Sequence, residues 1–253
     1  MKKKLAAAII VFGLAAGMAS ANMLTFRMGY FVPRLTGDFW DIEFQNMTFK
    51  KGSFQDASLG ICFELFLTRD FSLVAGLDVF RKNKAALYKD YLGITLEDGG
   101  WALPNVYVNP LYGYEIKHSI TYASAPVQLS VKWTPLGRKG NIIPYIGGGA
   151  HAVIWNIRMQ GEFVDFGDEY VVNGSIPAYP IYSVYAEESD GIGRLTFGWQ
   201  VFGGVMIPVG TRMTVDVGAQ YFSSKTEFKS AFEGFEPIDV GGFHISLGIN
   251  YWF

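Results

Sequence analysis

Apolar and polar side chains alternate along much of this chain. The pattern is clearest in the closing stretch, Gly241 to Phe253. Phe243, Ile245, Leu247, Ile249, Tyr251 and Phe253 form one set, and His244, Ser246, Gly248, Asn250 and Trp252 form the other. A period of two specifies a strand, because successive side chains leave opposite faces. The first set is wholly apolar and carries no charge. In a soluble sheet such a face has to be covered by a second layer, whereas in a membrane barrel it meets lipid.

Seven earlier segments repeat the pattern, at about 23–32, 57–67, 71–80, 120–133, 143–157, 194–207 and 211–222. In the first, Leu24, Phe26, Met28, Tyr30 and Val32 oppose Thr25, Arg27 and Gly29. In the second, Leu59, Ile61, Phe63, Leu65 and Leu67 oppose Ser58, Gly60, Cys62 and Glu64. The connections after the second, fourth and sixth segments are short. The others are expected to be long loops at about 33–56, 81–119, 158–193 and 223–241. An even number of strands, with short turns on one side and long loops on the other, is how outer-membrane barrels are built. The prediction is therefore an all-β fold over residues 22–253, an up-and-down antiparallel eight-stranded transmembrane β-barrel with both termini on the short-turn, periplasmic side.

The charges inside the strands support this. Arg27, Glu64, Asp78, Lys132 and Asp216 all fall on the polar face of the alternation. An eight-stranded tube is narrow enough for side chains to fill. A charge there stays ionised only if it is paired and hydrogen-bonded. Arg27, Glu64 and Asp216 are expected to form a lumen charge network. In it Arg27 contacts Glu64, and its planar fork bridges two carboxylates. The lumen is then closed to a continuous water path. Gly147 and Gly149 would relieve crowding where Phe202 or Trp252 intrudes.

The N-terminus adds a compartment. Lys2, Lys3 and Lys4 precede an uncharged run from Leu5 to Met18, and Ala19-Ser20-Ala21 offers a small-residue cleavage site. This reads as a secretory signal peptide over residues 1–21. The apolar run is too short to span a bilayer as a helix, which takes about 20 residues.

The terminal alternation ending in Phe253, with Tyr251 two residues before it, resembles the closing strand of bacterial outer-membrane β-barrels. APVQLSVKW at 125–133 and PYIGGGAHAVIW at 144–155 look like small barrels of the OmpA, OmpX and OmpW kind. The resemblance implies that Tyr251 and Phe253 are the insertion signal read by the barrel-insertion machinery. It also implies that the protein's surroundings are outer-membrane lipid and lipopolysaccharide. It is specific for architecture and weak for function.

Composition narrows the picture further. The chain has 30 glycines and is 16% aromatic, as tight turns and membrane-interface belts require. The formal charge of −2 becomes more acidic once the leader lysines are removed, which gives no reason to expect nucleic acid. A single cysteine, Cys62, excludes an intrachain disulfide and a thiolate zinc cluster. No phosphate-binding glycine loop is present, since Gly147-Gly148-Gly149 lies within a strand pattern.

His118-Ser119 supplies two members of a nucleophilic constellation of the kind some small barrels use as lipid A deacylases. No acidic residue at a completing spacing accompanies it. His151 and His244 lie on distant strands, with no carboxylate spaced as a metal co-ligand. The third long loop is acidic (Glu162, Asp165, Asp168, Glu169, Glu187, Glu188 and Asp190), which suits a solvated loop or a weak divalent-cation site without EF-hand spacing. The second is aromatic (Tyr88, Tyr91, Trp101, Tyr107, Tyr112 and Tyr114), as loop packing or a recognition surface would be. No cofactor is expected. The leading functional expectation is a non-enzymatic outer-membrane barrel with a structural or surface-interaction role. The alternatives are OmpW-like passage of small apolar molecules and a lipid A-modifying enzyme.

Overall fold

The structure is a computed structural model that describes residues 22–97, 99–171, 179–189, 194–228 and 234–253. The signal-peptide expectation for residues 1–21 lies outside them, as does Asp190 of the acidic loop. In chain order the elements are β1 (Met23–Pro33), α1 (Asp38–Asn46), a single tight helical turn (Lys51–Phe54), β2 (Asp56–Phe66), β3 (Phe71–Leu87), β4 (Tyr91–Leu96), β5 (Gly99–Pro104), β6 (Lys117–Trp133) and β7 (Ile143–Val171). They continue with β8 (Pro180–Ser189), β9 (Arg194–Pro208), β10 (Met213–Ser223), β11 (Lys225–Thr226), β12 (Ile238–Asp239) and β13 (Gly242–Trp252).

Eight of these strands close a barrel in the order β1-β2-β3-β6-β7-β9-β10-β13, and β13 pairs antiparallel with β1 to seal it. Closure leaves no unpaired strand edge within the ring, which backbone in hydrocarbon requires. β1, β2, β10 and β13 are each 11 residues long, the length of a tilted transmembrane strand, about 9–11 residues. β3 and β6 run to 17 residues and β7 to 29, so three neighbouring strands rise past the others at the long-loop end.

The two faces divide as the alternation implies. Outward residues are exposed and apolar: Phe26 is 59% exposed, Leu59 63%, Phe197 73% and Leu247 55%. Inward residues are buried and polar, among them Ser72, Gln128, Gln200, Thr214 and Asn250. Phe63 belongs to the outward set yet is buried. Leu24 and Ala75 stand opposite it on the strands to either side. Gly147 meets Phe202 as expected, since a Cβ there would lie 2.3 Å from the ring.

The long-loop end is more ordered than a set of loops. Residues within the expected loop 33–56 form α1, whose Trp40 and Phe44 lie four residues apart and stack at 5.8 Å, with Met47 three residues on as the C-cap. Asp38 and Asp41 sit in its first turn, where the helix dipole favours negative charge. The Asp38 carboxylate also accepts from the Phe39 and Glu236 backbone N–H groups, both at 2.8 Å. Much of the expected loop 81–119 is strand: β3 reaches Leu87, and β4 and β5 form a hairpin that extends through β8 onto β7. Much of 158–193 is likewise the β7–β8 ribbon. These strands pair beyond the apolar belt, where the outward alternation has already ended and cannot mark them.

Candidate functional site

The lumen is filled in three layers. At the short-turn end Met23, Ile143 and Met206 are buried with Phe66, Tyr145 and Trp252 packed against them. The middle layer is polar. At the long-loop end lies an aromatic plug.

The middle layer is organised by one hydrogen-bonded row across five strands. Arg27 on β1 stands opposite Gly60 on β2, and Gly60 stands opposite Asp78 on β3. In the other direction Arg27 stands opposite Gly248 on β13, which stands opposite Asp216 on β10. The arginine is therefore flanked on both sides by glycines and then by carboxylates. It forms a forked pair with Asp78, with Nε donating to Oδ1 at 2.8 Å and Nη2 donating to Oδ2. Gly60 makes the reach across β2 available. A Cβ there would lie 2.0 Å from Asp78 Oδ1 and 3.0 Å from Arg27 Nε.

The expected Arg27–Glu64 contact is replaced by this pair. In the β1–β2 register Glu64 stands opposite Met23, four residues from Arg27 toward the turn end. There it takes Lys132, whose Nζ donates to Oε2 at 2.8 Å, and Ser72, whose hydroxyl donates to Oε1 at 2.5 Å. Asp216 accepts from the Tyr145 hydroxyl at 2.8 Å. The three predicted network residues all enter the lumen, but they belong to separate pairs. Asp78, Lys132 and Tyr145 complete those pairs. A relay of amides links the strands: Gln128 donates to Asp78, Gln220 donates to Gln128 and Gln200 at 2.9 and 2.8 Å, and Gln200 donates to Ser130 at 2.6 Å.

Above this layer His244 meets Ser58 and His151 meets Ser224, each at 2.6 Å and buried. A void of only about 10 Å³, lined by Ser58, Asp78, Phe80 and His244, has room for about one water. The plug follows. Phe31 meets Phe80 and Phe222 at centroid distances of 4.7 and 5.3 Å, and α1 lowers Phe39 and Trp40 onto Phe228 and Phe54.

The rim histidine is part of this plug. His118 Nε2 lies 2.8 Å from Glu43 Oε2 of α1, and its ring stacks on Phe163 at 4.8 Å. Adjacent strand residues face opposite ways, so Ser119 points away from it, toward the Gln160 carbonyl oxygen at 3.3 Å. Beside them Tyr88 is half-buried among loop residues, and that burial pushes its phenol up to about 12. The acidic residues of the third loop are strung along β7 and β8. Among the described residues no group of three acidic, histidine or cysteine side chains is gathered for a metal.

Between α1 and the β7–β8 ribbon is a cleft of about 200 Å³, lined by Phe39, Ile42, Glu43, Met159, Phe163, Tyr185, Glu187, Ser189 and Phe235. At the opposite end, Phe66, Arg69, Arg138, Lys139 and Trp252 line an open basin.

A barrel that is polar and ion-paired inside and apolar outside can rest only in lipid. The described residues form a membrane-spanning β-barrel. No family model matches it, and no curated protein matches it either. Solved structures with similar architecture include Neisserial surface protein A, at 12% identity over 92% of this chain and 98% of that one, with a TM-score of 0.45. They also include OprG from Pseudomonas aeruginosa, at 11% identity over 92% and 97%, with a TM-score of 0.46. Outer membrane protein W of E. coli shares 14% identity over 92% and 99%, with a TM-score of 0.42. Identities this low leave the function to this chain's own geometry.

Proposed function

We propose that the protein is a non-enzymatic outer-membrane barrel with a closed lumen, acting through surface interactions at its extracellular, long-loop end. The observation that carries this reading is the filled interior. An apolar layer, an ion-paired layer and an aromatic plug follow one another along the tube. The ordered head of α1, β4, β5 and β8 then stands beside the lipopolysaccharide surface, with its aromatic and acidic side chains available to partners. Single-channel recording in planar bilayers tests it. The expected result is small or absent conductance in wild type, and steady large conductance would overturn the closed-lumen reading.

Tyr251 and Phe253 are proposed as the insertion signal. Phe253 is two-thirds exposed at the turn end, with its ring 5.3 Å from that of Tyr251. Deleting Phe253 is expected to leave protease-sensitive chain in the periplasm. Normal amounts of heat-modifiable barrel in the outer membrane would argue against the role.

A further inference from the structure

We infer that the cleft between α1 and the β7–β8 ribbon is a binding site for a small organic cation, an ammonium carried on an apolar or aryl group. The inference rests on the reading of the long-loop end as the interaction surface, and it names the chemistry of one ligand.

The walls come from three elements in a simple register. On α1, Phe39, Ile42 and Glu43 fall at i, i+3 and i+4 and so share one helix face. On the ribbon the opposed pairs are Met159 with Ser189, Gly161 with Glu187, and Phe163 with Tyr185. Gly161 has no side chain, so Glu187 stands without a partner side chain between the Met159–Ser189 pair and the aromatic pair. Phe163 and Tyr185 stack at 5.8 Å. The cleft thus has aromatic sides and two carboxylates, Glu43 from the helix and Glu187 from the ribbon.

The charge balance selects the ligand. Glu43 is 13% exposed and is held in place by His118. Among the described residues no lysine or arginine lies within ion-pair distance of Glu43 or Glu187. Nearby, burial together with the Glu187 and Asp165 carboxylates holds the Tyr185 phenol above its ordinary range. The partly buried Glu43 carboxylate, with the exposed Glu187 beside the same apolar walls, favours an incoming cation, because a charge near low-dielectric walls is costly without a partner. Aromatic faces attract the same cation through their quadrupoles. An anion would meet both carboxylates, and a neutral apolar ligand would leave them uncompensated. At about 200 Å³ the cleft is smaller than a drug-sized pocket, which spans about 300–1,000 Å³, so it suits a compact amine.

The test uses the full folded barrel in lipid nanodiscs, titrated by calorimetry with phenethylammonium and separately with phenethyl alcohol, its neutral counterpart. Phenethylammonium is expected to bind saturably. Phenethyl alcohol is expected to bind about tenfold more weakly or worse, a difference of about 1.4 kcal/mol. Glu187→Gln and Glu43→Gln should each weaken the ammonium and leave the alcohol unchanged. Glu43→Gln disturbs the His118 contact, so its folding is checked by heat-modifiable migration. Glu187 is exposed, and Glu187→Gln keeps the test decisive if the other variant fails to fold. Equal affinity for the two probes, ammonium binding unchanged in Glu187→Gln, or no saturable binding would each overturn the inference. These outcomes are independent of conductance, which tests the closed lumen.

Discussion

At the scale of single residues, the lumen depends as much on missing side chains as on charged ones. Arg27 reaches Asp78 because position 60 between them is glycine. Gly60→Ala should destabilise the barrel by about 1–3 kcal/mol, the usual cost of overpacking. Gly52, whose added Cβ would meet nothing within 4 Å, provides the control, and Gly52→Ala should leave urea unfolding in lipid vesicles unchanged. An equal response from both variants would show that the Arg27–Asp78 row tolerates a side chain between its members. The Lys132–Glu64 pair supplies a second case, since its side chains are only 5% and 3% exposed. Lys132→Met strands a buried carboxylate and should cost about 3–5 kcal/mol. Combining it with Glu64→Gln removes the stranded charge and should recover most of that loss. A double variant as unstable as the single one would place the cost elsewhere than in the pair.

At the scale of elements, each strand serves two solvents at once. β13 presents Leu247 to lipid and Ser246 to the lumen, and the exposures, 55% and 9%, follow that division. Leu247→Arg should lose about 2–4 kcal/mol, the cost of a cation at the bilayer midplane. Ser246→Arg should act through crowding alone and lose less. The comparison is made by urea unfolding in lipid, and equal losses would contradict the facing. α1 works differently. It is a short helix of nine residues whose stability comes from packing Phe39 and Trp40 into the plug. Its period was present in Trp40, Phe44 and Met47, but a segment between two strands reads first as a loop. β4, β5 and β8 were hidden for another reason. They pair outside the membrane, where neither face has to be continuously apolar.

At the scale of the whole molecule, the seals lie in series. The ion-paired layer and the aromatic plug are held by different residues, so losing one leaves the other in place. Arg27→Ala alone is therefore expected to keep conductance small. Arg27→Ala combined with Trp40→Ala should raise it, as single-channel recording would show. A large rise in Arg27→Ala alone would mean that the plug does not seal.

The sequence by itself determined the barrel: eight alternating segments, the parity of short and long connections, and the facing of the strand-core charges Arg27, Glu64, Asp78, Lys132 and Asp216. Those properties follow from a period of two and the need to separate lipid from lumen, and both are local. Register was decided only by the tertiary structure. Whether Arg27 meets Glu64 or Asp78 depends on a stagger of a few residues between strands, which alternation leaves undetermined because a shift of two keeps every face the same. The cleft is further still from the sequence. It brings Glu43 and Glu187 together from segments more than a hundred residues apart, and only the docking of α1 against an extended ribbon places them on one surface.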